Sequence, residues 1–259
     1  MFGNSTYWWA GLLVFVLFIT LNTVVFLLRN KPKASYAIAW CIACFLLTYK
    51  IGEYVYWQVV GLHYKFPVEF SALSYFFYGI AVTFRLKKLH AFPLWAAFMA
   101  GVMFSVSFWV SPDSHINNMD TPFLFAMALI NHHLLYFGAM LMIANVTRLE
   151  GKSWWQLIAC GLSCVGYSWL IYLFTDYSNQ VDKPLIVQMT DGSIMTWLGI
   201  QGLSALHYIL YAVAVIILLT LTVSGVFLLN RWQCRRRQKK GIEVDYFPAK
   251  WLTHYVDWE

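Results

Sequence analysis

Glu69, Ser71 and Ser74 sit in the stretch Phe66–Tyr78, FPVEFSALSYFFY, and Asn131-His132-His133 lies in a second apolar run. Carboxylate, hydroxyl and imidazole are the side-chain types that nucleophilic and general-base chemistry uses, and here they stand in segments apolar enough to cross lipid. Ionisable groups in such segments are functional candidates by default. Neutral imidazole at depth can accept a proton or bond across helices. A serine in a membrane helix has a structural use too, bonding a backbone carbonyl or allowing close packing. Glu69 likewise has a structural use, since a helix starting at Pro67 would hold its carboxylate near free backbone N–H groups.

Elements must position these groups, and composition says which kind. The chain is 60% hydrophobic, 19% aromatic and 12% charged, far from a soluble domain. Apolar runs of about 20 residues span a bilayer, and seven are legible: Tyr7–Leu28, Ser35–Val60, Pro67–Phe84, Phe92–Val110, Pro122–Val146, Trp154–Thr175 and Leu203–Leu229. The expectation is an all-α, polytopic bundle of seven transmembrane helices over residues 1–230, with a basic cytoplasmic tail over 231–259. The N-terminus, MFGNSTYWW, lacks a basic signal-peptide start, so the first run reads as a retained anchor.

Charge sets the orientation. With the N-terminus outside, the inner segments hold all 18 basic residues except Lys50, Lys65 and Lys183. That is the positive-inside pattern of a multi-pass cell-membrane protein, and an even helix count would spoil it. The net charge of +6 then follows from topology without a nucleic-acid partner; membrane lipid is the expected one. The Arg235–Lys240 cluster reads as a stop-transfer anchor that could also touch anionic headgroups. Cys41, Cys44, Cys160 and Cys164 lie in apolar runs and read as packing residues. Cys234 stands among basic residues, a setting for acylation beside the membrane.

The second run carries Lys50 and Glu53, three apart and so able to neutralise each other on one helix face. Ser71, Ser74 and Tyr78 line one stripe of the third, whereas Glu69 and Ser71 point ~200° apart on an ideal helix. His132 and His133 fall ~15 Å below Pro122, near the bilayer centre, and point ~100° apart. His207 lies just below the outer boundary of the last run. Asp113, His115 and Asp120 in the outer loop have no convincing metal-ligand spacing; no metal or soluble cofactor is expected. The ionisable groups within the runs all fall in the outer half or at the midplane, which argues for a cavity opening outward.

These residues carry a resemblance. The chain resembles the YwaF-like family of bacterial integral membrane proteins, related to a eukaryotic transmembrane acyltransferase. The similarity rests on Glu53, on Phe66-Pro67-Val68-Glu69-Phe70-Ser71, on Pro122 through His132-His133, and on Asp176-Tyr177 with Lys183-Pro184 beyond. The family's motif resembles Leu-Pro-Leu-His-Leu-Cys, so Glu69 replaces its histidine and Ser71 its cysteine. The resemblance implies acyl transfer or lipid-ester hydrolysis, with Ser71 as nucleophile, His132 or His133 as base and Glu53 or Glu69 as orienter. Lys50, Ser74, Tyr78 and His207 would contact substrate. Two other classes fit the same residues: a transporter or binding subunit handling a polar ligand, and a non-catalytic membrane protein whose polar groups knit helices together.

Overall fold

Backbone polar groups find no water in a hydrocarbon core, so an apolar chain must satisfy them within each segment, as helix. The computed structural model, which describes residues 7–62, 65–110, 112–117, 122–175, 187, 191 and 204–246, follows that rule. Its helices are α1 (Trp8–Leu27), α2 (Pro32–Val59), α3 (Phe70–Thr83), α4 (Ala91–Val110), the short α5 (Pro112–Asn117), α6 (Pro122–Leu141), α7 (Trp154–Phe174) and α8 (Ala205–Lys239). No strand occurs among the described residues. Six helices are long and apolar enough to cross a membrane, α6 counting together with the wider turn after it. The third, α3, has 14 residues, about 21 Å of helix against a hydrocarbon core of about 30 Å.

The core is a four-helix set in which α2 and α4 each pack on both α3 and α6, with α1 against α4 and α6. Close approach depends on small residues at the crossings. A Cβ on Gly101 would lie 2.4 Å from Cβ of Tyr136, and one on Gly138 would lie 2.1 Å from the Tyr78 hydroxyl. That hydroxyl donates to the Ala39 carbonyl (3.0 Å), tying α3 to α2. The Gly101–Ser105 spacing seen in the sequence is therefore a real contact face, with Ser105 1% exposed. By contrast, α7 and α8 present mostly apolar side chains outward, among them Leu162, Leu170, Leu210 and Ile216.

The helix α3 begins at Phe70, not at Pro67. The chain bends at Pro67 before it, and Glu69 itself is extended (φ −70°, ψ 143°), while the Val68 carbonyl is taken by the Ser168 hydroxyl of α7 at 3.0 Å. Val68 is fully buried there. Glu69 is thus the N-cap residue, and its side chain makes no capping bond. Tertiary contact to α7 outweighs the local preference of proline for the first helical turn.

The basic end of the bundle departs most from expectation. Beyond α6 the chain widens into a π-helical segment, Met142–Val146, and α8 runs through residue 230 without a break to Lys239. The face of α8 carrying Asn230, Cys234 and Arg237 is buried. Asn230 donates to the carbonyls of Ile143 (2.6 Å) and Thr147 (2.9 Å) and accepts from Leu149 N–H (2.8 Å). The Arg237 guanidinium donates to the carbonyls of Asn145, Val146 and Thr147. Those are the carbonyls a helix end leaves without partners, and a cation there also meets the negative end of the helix. Arg237, read from sequence as part of a stop-transfer anchor, is 1% exposed. Cys234, 5% exposed with its thiol toward the Thr147 carbonyl (3.6 Å), is packed away from any acyl donor.

After α8 the chain turns at Gly241 (φ 65°) and Asp245 (φ 69°). Asp245 then accepts from Arg148 N–H and pairs with Lys87 at 2.5 Å. Nearby, burial pulls the His90 imidazole down to about 4, so it is neutral at pH 7 and donates through Nε2 to the Ala81 carbonyl (3.2 Å).

Candidate functional site

In the half of the bundle away from the basic end, a cleft of about 230 Å³ lies between α2 and α6, with α3 contributing Tyr75. Tyr49, Lys50 and Glu53 of α2 face Leu124, Met127, Ala128, Asn131 and His132 of α6 across it. Apolar helices bring these groups together because the lining residues recur at helical spacing on the inward face: 49, 50 and 53 on α2, 124, 128 and 131 on α6. Lys50 Nζ and Glu53 Oε2 are 2.5 Å apart, with side chains 14% and 18% exposed. The ammonium also sits 4.9 Å from the Tyr75 ring centre and 5.5 Å from that of Tyr49, a cation–π arrangement that favours charge in a poorly solvated place.

Of the two histidines, His132 lines the cleft and His133 does not. Each donates Nδ1–H to the carbonyl four residues back, Ala128 at 2.8 Å and Leu129 at 2.7 Å. That bond places the ring proton on Nδ1 of the neutral imidazole and leaves Nε2 as the acceptor. The His132 ring stacks on Phe104 (4.1 Å, 9°) and meets Tyr75 edge-on (5.7 Å), so its orientation is locked. His133 is 4% exposed, and its Nε2 is buried with no hydrogen-bond partner among the described residues.

The remaining sequence candidates are dispersed. Ser71 is half-buried on the first turn of α3 and is not part of the cleft wall. It stands four residues before Tyr75, on nearly the same face and about one turn nearer the helix start. No hydrogen bond joins it to either histidine among the described residues. Ser74 donates to the Phe70 carbonyl at 2.7 Å, and Tyr78 is spent on Ala39; both are buried structural groups. Glu53 pairs with Lys50, and Glu69, the N-cap residue of α3 with no side-chain capping bond, is not part of the cleft lining. His207 closes a capping box with Ser204 at the start of α8 (Nδ1 to Oγ 2.8 Å), away from the cleft lining.

Asp113 accepts from the Tyr7 N–H at 3.0 Å, fastening α5 to the start of α1. Among the described residues no group of three His, Cys, Asp or Glu could hold a metal. Asp120, the His115 side chain, Asp176, Tyr177, Asp182, Lys183, Pro184 and the loop toward Gln201 lie outside the described residues.

Two cleft residues were missed from sequence. Tyr75 is 2% exposed, and its hydroxyl has no hydrogen-bond partner among the described residues; its place four residues after Ser71 was the available signal. Tyr49, beside Glu53 and Asn131, precedes Lys50 and was masked by the aromatic richness of the whole chain.

Fold and site together define a multi-pass helical membrane protein with a polar cleft in its apolar body. No family model, curated protein or solved structure matches the chain.

Proposed function

We propose that this protein takes an amphiphilic ester from the bilayer into the cleft between α2 and α6 and transfers or hydrolyses its acyl group. The observation that supports this reading is His132, held in a polar cleft as the Nδ1–H tautomer with Nε2 left to accept a proton. In the proposed step the Ser71 hydroxyl gives its proton to His132 Nε2 as Oγ bonds the ester carbonyl carbon. The ester C–O bond then breaks, the leaving alcohol takes the proton from His132, and water or an acceptor alcohol releases the acyl group. Because Ser71 stands about one turn from the cleft wall, substrate must draw the first turn of α3 toward α6. The non-helical Phe66–Glu69 segment before it supplies the joint.

The companion topology places the N-terminus outside, the basic end in the cytoplasm and the protein in the cell membrane, with α3 as the seventh and shortest span. Cysteines introduced at Leu62 and Lys88, which flank α3, are expected to label from opposite sides of intact cells; labelling of both from one side refutes the seventh span.

With the purified protein in lipid vesicles and a fluorogenic lipid ester, Ser71→Ala and His132→Ala are each expected to lower turnover by about 100-fold or more. His133→Ala should stay near wild type provided it folds. Full turnover by Ser71→Ala ends the serine mechanism. One observation would then favour a binding role: Glu53 is committed to Lys50, so the cleft holds a preformed ion pair in place of an acid–base relay.

A further inference from the structure

The last three turns of α8 have two unlike faces. Asn230, Cys234 and Arg237 are buried against the carbonyls that end the π-helical segment. Trp232, Arg235, Arg236 and Lys239, spaced three and four residues apart, share the opposite side and with Gln238 and Lys240 line a shallow groove. Trp232 is 58% exposed. Among the described residues none of Arg235, Arg236, Lys239 and Lys240 has an ion-pair partner. The stretch 231–240, RWQCRRRQKK, contains no acid. Of the acids that follow, Glu243 lies beyond the Gly241 turn and Asp245 is paired with Lys87.

Depth says what meets this face. The apolar run of α8 ends at Leu229, and at ~1.5 Å per residue Arg235 and Arg236 lie about 10 Å farther along. The headgroup layer is roughly 5–8 Å thick on each side of the hydrocarbon, so their side chains reach back into the phosphate level. An indole at the boundary is the usual interfacial anchor. The geometry points to this groove as a binding site for the phosphate of an anionic phospholipid in the leaflet at the basic end. A freely moving tail would hold such lipid only diffusely. Here the Arg237 and Asn230 bonds fix the helix, so four cations converge on one headgroup at set spacing.

The test is native mass spectrometry of the full chain in detergent, with phosphatidylglycerol or phosphatidylcholine added at equal concentration. Wild type is expected to retain phosphatidylglycerol about 10-fold over phosphatidylcholine, a preference erased at about 0.5 M salt by screening. Arg235→Gln/Arg236→Gln/Lys239→Gln/Lys240→Gln, which keeps Arg237, should lose the preference, and Lys31→Gln/Lys152→Gln should keep it. Equal retention of the two lipids by wild type, or equal loss in both variants, overturns the site. If the fourfold variant does not fold, the salt dependence together with Trp232→Ala decides: unchanged selectivity under both rejects the groove.

Discussion

Arg237→Ala is expected to destabilise the protein by about 4 kcal/mol, read as a lowered unfolding midpoint in detergent. The guanidinium is fully enclosed and donates to three backbone carbonyls, through Nη1 to Asn145 and Val146 and through Nη2 to Thr147. Removing it forfeits three charge-assisted bonds and strands the Asn145 carbonyl where water is scarce, a buried unsatisfied group costing ~1–3 kcal/mol. The loss falls short of a full sum because Val146 still accepts from the Asp245 N–H and Thr147 from Asn230, and because water can enter from the nearby membrane surface. Arg237→Lys should recover only part of the stability, since an ammonium cannot reproduce the planar fork. A melting curve for Arg237→Ala indistinguishable from wild type would mean that the basic end is not built on this contact.

The same residue marks the limit of reading this chain as a string. Helix positions were legible nearly throughout: the apolar runs Tyr7–Leu28, Phe92–Val110 and Trp154–Thr175 match α1, α4 and α7 to within a residue or so. Lipid forces that correspondence, because no other local structure satisfies the backbone there. The Lys50–Glu53 pair was legible for a similar reason, being local on one helix. Arg237 was not, since nothing in RWQCRRRQKK distinguishes the one arginine facing the π-helical segment from its exposed neighbours. The partners come from 90 residues away in the chain, at Thr147. The start of α3 failed in the same way, through a bond from Ser168 that no local pattern announces. At the candidate site, His132 and the α2 pair were found by residue type and depth, whereas the orphaned Tyr75 hydroxyl was hidden in an aromatic run.

Glu53→Ala is expected to cost about 3 kcal/mol, more than Lys50→Met/Glu53→Leu, which should stay within about 1 kcal/mol of wild type. The reasoning turns on desolvation: at 14% and 18% side-chain exposure, both charges have given up most of their water. Their mutual attraction does little more than repay that cost, whereas deleting one partner leaves the other buried and uncompensated, a loss of 3–5 kcal/mol in comparable pairs. The low end applies because the faces of Tyr75 and Tyr49 stay beside the Lys50 ammonium. Stability in detergent, measured for both singles and the double, closes the cycle. Under the proposed acyl-transfer function, turnover of the lipid ester separates the pair's two uses. If the ion pair only joins α2 to the bundle, the apolar double variant keeps its activity along with its stability. If Lys50 or Glu53 grips the substrate, that variant stays folded and its KM rises. Equal stabilities for Glu53→Ala and wild type would show that the pair is solvated and that the cleft is wider in the membrane than its walls indicate.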